Sequence, residues 1–230
     1  MKNPIKWERG ENVVKLFPTL VVDDFLNDPD YVYNLAREAE YRDPGRTNHP
    51  GVASKLKIHQ IDRKLFDTIV SKILGYYWDL KRPVNYEIDM EFQRIESKDK
   101  GILNKGIIHV DSQHSICAGL IYLNRDAPKD TGTSFYKLKD SSYKISPRTL
   151  LEPIAKYHAG EDVDGIEKIC QDHYDKYEET MRVQNQYNRL VFYSGDQWHT
   201  CTSYADQPRY TLRFFVTKIL SEHQNFPLLR

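Results

Sequence analysis

The 230-residue sequence is short of several things, and each shortage narrows what the protein can be. Cysteine is scarce. Cys117, Cys170 and Cys201 are an odd, scattered set without C-x-x-C spacing. That pattern argues against a disulfide framework, makes a reducing cytoplasm the expected setting, and leaves the thiols as small buried apolar groups. Long hydrophobic runs are missing too. No stretch approaches a membrane span, and the opening MKNPIKWERGENVVKLFP lacks the apolar core of a secretory leader, so no membrane partner is expected. Neither sign of charge is in excess: 33 Lys and Arg balance 33 Asp and Glu. With no basic cluster interleaved with aromatics, this balance argues against a nucleic-acid partner. Repeats and low-complexity segments are absent.

What is there suits a folded chain. Hydrophobic residues make up 40%, enough for a core, while a mean hydropathy of -0.67 is that of a soluble protein. The length fits a single domain over 1–230.

The periodicity changes near residue 84. Before it, LFPTLVVDDF alternates enough to enter a sheet, and Asn27 or Asp28 is placed to cap a helix through YVYNLAREAEY. RDPGRTNHPGVAS reads as a long loop. A second helix is predicted from about Asp62 to Leu80, because Leu65, Ile69, Ile73 and Tyr76 share one face. Residues 1–83 are thus expected to be helical support. From 84 to 219, VNYEIDMEFQRIE, GIIHVD, CAGLIYLN, TSFYKL, RLVFYSG and RYTLRFFVTKI are short runs rich in β-branched and aromatic residues. Strands with few helices between them predict antiparallel pairing, hence an α+β fold with a mainly β core. The stretch of about 140–187 interrupts that core. Its second half, VDGIEKICQDHYDKYEETMRVQNQY, is charged and carries an apolar stripe of Ile166, Ile169, Cys170 and Tyr174, so a helical insertion is expected.

Three residues point to a metal. Two imidazoles and one carboxylate form the set that binds catalytic Fe(II) on one face of an octahedron, leaving positions open. In His109-Val110-Asp111, alternate residues of an extended segment project the same way, so His109 and Asp111 can reach one ion. His199, at the end of RLVFYSGDQWH, is the candidate third ligand. His114 competes for a place, and a chance His-x-Asp near a strand end is the plainer alternative.

Arg209 opens RYTLRFFV. Alternation sends Arg209, Thr211, Arg213 and Phe215 to one face and Tyr210, Leu212, Phe214 and Val216 to the other. The apolar face is expected to pack on helices. The first face then points inward, where two arginines need anions. Either Arg209 pairs with a buried Asp or Glu, or it holds the far carboxylate of a dicarboxylate that chelates iron through a 2-oxo acid.

IIHVDSQHSICAGLIYLN, TGTSFYK and NRLVFYSGDQWHTCTSYADQPRYTLRFFV together resemble the core of the Fe(II)/2-oxoglutarate dioxygenases of the prolyl-hydroxylase type, including a poorly characterised microbial and viral branch. The resemblance covers roughly 84–219 and implies a double-stranded β-helix, or jelly roll. It implies Fe(II), 2-oxoglutarate and O2 as cofactor and cosubstrates. His109, Asp111 and His199 would bind iron, and Arg209 the 2-oxoglutarate C5 carboxylate. Tyr122 matches a tyrosine that donates to that carboxylate in some members, with a plain core aromatic as its alternative. Two departures stand out: Thr131-Gly132 replaces a familiar glycine pair, and the insertion lengthens the gap from His109 to His199. The presence of Asp111 argues against halogenation, for which such enzymes replace the carboxylate with a small residue.

The implied reaction couples oxidative decarboxylation of 2-oxoglutarate to oxidation of a substrate. That substrate is an amino acid, a peptidyl residue or another small molecule. Arg213 is expected to meet an anionic substrate group or an acidic wall residue, and Glu91 and Gln93 alternate so as to face the same cavity. The loop over 42–54 and the insertion are candidate lids. Two other classes stay open: a cupin-like metal protein that does not use 2-oxoglutarate, and a non-catalytic jelly-roll binding module.

Overall fold

The computed structural model describes residues 5–7, 19–42, 51–96, 99–111, 115–145 and 147–221. In chain order the strands are β1 (Ile5–Trp7), β2 (Leu20–Val22), β3 (Gly51–Ala53), β4 (Val84–Ile95), β5 (Cys117–Tyr122), β6 (Thr133–Leu138), β7 (Tyr177–Val183), β8 (Leu190–Ser194), β9 (Trp198–Cys201) and β10 (Arg209–Ser221). They form two antiparallel sheets. The larger runs β2-β8-β5-β10-β4-β3, with β1 pairing the end of β10; the smaller runs β7-β6-β9. A lone bridge between His109 and His199 adds one more pairing beside β9.

The larger sheet separates two environments by simple alternation. Met90 and Phe92 of β4, Cys117 and Ile121 of β5, Leu190 and Phe192 of β8, and Leu212, Phe214 and Val216 of β10 join one apolar cluster. That cluster also contains Val32 and Ala36 of α1 (Pro29–Glu38), Ile58 of α2 (Ile58–Ile61), and Phe66, Ile69, Val70, Ile73 and Leu74 of α3 (Arg63–Gly75). The helices therefore cover the outer face, as the alternation of RYTLRFFV predicts. Between the sheets lies a second cluster: Ala118, Tyr122, Phe135, Val183, Val191 and Tyr193, with Leu120 and Phe215 against it. Gly119 makes the close packing of β5 possible. A Cβ there would sit 2.5 Å from Phe214 Cζ and 2.6 Å from the Val191 carbonyl oxygen.

The N-terminal elements begin where their caps put them. Asp28 accepts from Tyr31 N at 3.0 Å ahead of α1, and Asp62 from Leu65 N at 2.9 Å ahead of α3, each satisfying a first-turn N–H. α3 ends at Gly75, not at Leu80; beyond it Tyr77 and Trp78 are buried in the core. Asn188, in the left-handed region at φ 60, ties this layer to the sheet. Its side chain accepts from Leu26 N at 2.7 Å and donates to Leu26 O at 3.0 Å.

Two expectations are corrected. The insertion is helical only through a π-turn at Pro147–Leu151, α4 (Glu152–His158) and α5 (Ile166–Tyr174). Its last part, Tyr177–Val183, is the edge strand β7, paired with β6. Charges such as Glu178, Glu179 and Arg182 keep an exposed edge from pairing further, and they also gave the segment its helix-like composition. In the expected loop 42–54, Gly51–Ala53 is a strand on β4, while 43–50 lie outside the described residues.

Candidate metal centre

His109 and His199 face one another across the lone bridge, each N–H bonding the other's carbonyl at 3.0 Å. Directly opposed residues put their side chains on one side, and the two ring centroids are 4.5 Å apart. Asp111 follows His109 by two residues and turns to the same space. Its Oδ1 is 3.5 Å from His109 Nε2 and its Oδ2 3.3 Å from His199 Nε2. The three ligand atoms lie within 4.8 Å of one another. Such spacings suit neighbouring ligands of one ion with bonds of about 2.1 Å. His114, the competing ligand, lies outside the described residues.

Both imidazoles are held in the tautomer a metal needs. His109 Nδ1 is 2.7 Å from Ile107 O, and His199 Nδ1 is 2.9 Å from Gln197 O. A carbonyl only accepts, so each Nδ1 carries a proton. His199 Nε2 is left with its lone pair turned inward, while His109 Nε2 faces Asp111 Oδ1 and offers a lone pair once it gives up its proton. Burial and the nearby His109 charge push the His199 pKa down to about 4, leaving the ring neutral. Desolvation also works against a charged His109, but the hydrogen bond and charge of Asp111 outweigh it and raise its pKa. The two histidines diverge because His109 makes the hydrogen bond to Asp111, and its charge then opposes a second charge on His199. Burial alone would raise the Asp111 pKa; the two histidines and Arg213 hold it low. The result is an anion beside one inward lone pair and one imidazole that shares a proton with it, a group that could hold a metal ion in place of that proton.

Arg209, on the inner face of β10, is 3% exposed. Its guanidinium lies 5.3 Å from the centre of the Tyr122 ring, and its Nε is buried with no hydrogen-bond partner. Among the described residues no carboxylate forms an ion pair with it, so the expected alternative of a buried Asp or Glu is not what occupies Arg209. A buried, incompletely satisfied guanidinium suits an anionic ligand. Tyr122 is fully buried, its hydroxyl 2.7 Å from Thr133 Oγ1, and burial pushes its pKa up to about 12, so it is an O–H donor.

Arg213 meets an acidic wall residue: its Nε and a terminal nitrogen donate to Glu91 Oε1 at 3.2 and 2.5 Å. Lys57 and Arg42 take Oε2 at 2.5 and 2.8 Å. Burial would raise the Glu91 pKa, but Lys57 and Arg213 bring it below its ordinary value. Gln93 lies beside this group, opposite Thr211 in the β4–β10 register, with 3.5 Å from Thr211 Oγ1 to its Oε1.

Two neighbours of the centre escaped sequence reasoning. Tyr193, fixed on the inner face by the alternation of LVFYS, places its hydroxyl 3.0 Å from His199 Nε2. His173 of α5 lies 3.0 Å through Nε2 from Ile108 O and 3.0 Å through Nδ1 from Tyr143 OH. Strand alternation could have shown the first; nothing local shows the second.

No helix among the described residues is long and apolar enough to cross a membrane. The architecture is similar to that of a prolyl hydroxylase from Trichoplax adhaerens in complex with a hypoxia-inducible-factor oxygen degradation domain peptide fragment. That match has a TM-score of 0.52 at 11% identity, covering 86% of this chain and 82% of that one. It is also similar to the epimerase SnoN in complex with Fe3+, alpha ketoglutarate and nogalamycin RO, with a TM-score of 0.51 at 12% identity over 90% and 80% of the two chains. At these identities the likeness is one of fold. No curated protein matches the sequence. Residues 11–208 match the profile of DUF6445, and the chain therefore belongs to that family, described as one of unknown function.

Proposed function

We propose that this protein is an Fe(II)- and 2-oxoglutarate-dependent oxygenase acting on an amino acid, a peptidyl residue or another small molecule. One observation carries the reading. Two histidine Nε2 atoms and an aspartate converge within 4.8 Å on the same interior that holds the buried, incompletely bonded Arg209. A metal set alone fits many chemistries; a metal set with a buried cation in the same interior fits a chelating dicarboxylate.

On this reading the two sheets are the walls of a double-stranded β-helix over 84–219, in a single domain that residues 1–83 support. His109, Asp111 and His199 hold the metal. Arg209, with Tyr122 beside it, holds the C5 carboxylate of 2-oxoglutarate. Bound there, Fe(II) with 2-oxoglutarate and O2 supplies oxidising power that no side chain of this protein has. The protein's own work is orientation and exclusion of water. The backbone carbonyls of Ile107 and Gln197 fix the imidazole tautomers, and the aromatic wall of Phe135, Tyr122 and Tyr193 keeps the interior dry. Gln93 and Arg213 border the substrate side, Arg213 with its charge shared by Glu91.

Succinate formation from 2-oxoglutarate by the Fe(II)-loaded protein, screened with amino acids and peptides, tests the assignment. Turnover that disappears in His199→Ala and falls steeply in Arg209→Ala supports it. Metal binding with no use of 2-oxoglutarate would place the protein with cupin-like metal proteins. Absence of metal binding would leave a binding module.

A further inference from the structure

The Tyr193 hydroxyl is in an unusual position for a group beside a metal centre. Its hydrogen bond is to His199 Nε2, the nitrogen that the reading above assigns to the metal. His199 Nδ1 carries the ring proton, because it faces the Gln197 carbonyl, so Nε2 accepts and the phenol donates. The ring is wedged at 5.3 Å from Phe135 and 4.5 Å from His199, centroid to centroid, and is 4% exposed. It cannot swing out to water.

A metal ion on His199 takes the lone pair that the phenol uses. The hydroxyl then becomes a buried donor without an acceptor, a state proteins avoid. Burial pushes its pKa far above the ordinary value, so it keeps its proton and must find another oxygen. The charges of Asp111, Arg213 and Arg209 all act on this phenol, which places it in the interior shared by the metal ligands and the anchor for the far carboxylate.

We infer that Tyr193 is a positioning residue for the cosubstrate: once metal occupies His199, its hydroxyl turns from Nε2 to the metal-chelating 2-oxo acid end of 2-oxoglutarate. This rests on the proposed function and adds a second fixed point to it. Arg209 and Tyr122 hold one end of the dicarboxylate, and Tyr193 sets the orientation of the other. The hydroxyl that caps His199 Nε2 thus becomes a donor to the ligand only after metal binds, which orders the two events as metal first and cosubstrate second.

The test uses the intact protein without oxygen. Mn(II) affinity is measured by EPR for the wild type and Tyr193→Phe. Both are then loaded with Fe(II) and titrated with 2-oxoglutarate while the visible charge-transfer band of the chelate is followed. Tyr193→Phe removes one oxygen from a packed ring and keeps its shape. Mn(II) affinity is expected to stay within about twofold or to tighten, the 2-oxoglutarate Kd to rise about tenfold, and the band to shift in energy, as loss of a hydrogen bond to a charged group implies. Arg209→Gln serves as the reference: it weakens 2-oxoglutarate binding without moving the band, because it acts at the far end. Unchanged binding and an unchanged band in Tyr193→Phe would overturn the inference. Weakened Mn(II) affinity with an unchanged band would overturn it too, showing that the phenol serves Asp111 instead. Failure of the oxygenase reading is recognised separately, since the wild type itself would then give no band.

Discussion

The imidazole of His173 donates from Nε2 to the carbonyl of Ile108, 3.0 Å away, and accepts at Nδ1 from the Tyr143 hydroxyl. Helix α5 of the insertion thereby grips the chain one residue before the first candidate metal ligand. Ile108 also packs with Tyr136 and Tyr177, so the same point is held from the smaller sheet. The insertion is a brace for the ligand segment.

That brace makes the protein acid-labile in a defined window. Burial pushes the His173 pKa down to about 4, against 6.5 for a free imidazole. Between those values the unfolded chain binds a proton that the folded one refuses, so stability rises with pH there. The contribution is complete above about 6.5 and is lost as pH falls towards 4, up to about 3 kcal/mol. His173→Gln keeps a donor for Ile108 but does not titrate. The difference in denaturant midpoint between pH 5 and pH 7.5 should shrink in this variant; an unchanged difference would place the acid sensitivity elsewhere.

Arg209 should separate stability from ligand binding. Replacing this buried, incompletely bonded cation by methionine relieves desolvation, so Arg209→Met should leave the ligand-free protein as stable as the wild type or more so, by about 1 kcal/mol. Thermal stabilisation by 2-oxoglutarate in the presence of metal should vanish in the same variant. A severe loss of stability with ligand binding intact would make Arg209 a structural residue.

Glu91 should behave in the opposite way. It is the shared anion of Arg213, Lys57 and Arg42, and only 5% of its side chain is exposed. Glu91→Gln takes the counter-charge from Arg213 and Arg42 and leaves Lys57 with Asp89 alone, and should cost about 1–3 kcal/mol in chemical denaturation, discounted for the exposure of Arg42. Stability equal to the wild type would mean that the cluster contributes nothing net.

Gly119→Ala tests the packing behind the site. The added methyl meets the Phe214 ring and the Val191 carbonyl at once, so β5 must shift against β8 and β10. A loss of about 1–3 kcal/mol is expected from this overpacking. No measurable change would mean that the sheet has slack where the structure shows none.

Much of this was legible in the sequence because strands report their faces by alternation. RYTLRFFV gives the direction of the β10 side chains from Arg209 to Val216, before the register shift at Val216–Lys218, and His-x-Asp gives two ligand candidates on one side. His199 stands out because it closely follows the strongly apolar strand β8, although it lies in the next strand, β9. What the sequence could not show depends on partners far along the chain. For Arg213 the sequence leaves a substrate anion and an acidic wall residue as alternatives, and only the fold brings up Glu91, 122 residues away, as that wall residue. β7 was hidden because an edge strand buries little: only Tyr177 and Val183 of its seven residues are buried, and the charged remainder imitates a surface helix. The 2-oxo acid partner inferred for Tyr193 has no sequence signature, since it depends on the tautomer of a histidine set by the Gln197 carbonyl.

The most direct test of the whole account is an anaerobic titration of the purified protein with Fe(II) and then 2-oxoglutarate, followed in the visible range. The account predicts one ion per chain and a weak charge-transfer band that needs both components, is absent in His199→Ala and requires far more 2-oxoglutarate in Arg209→Ala. A protein that binds no metal at His109, Asp111 and His199, or that binds it and gives no band at saturating 2-oxoglutarate, would contradict it.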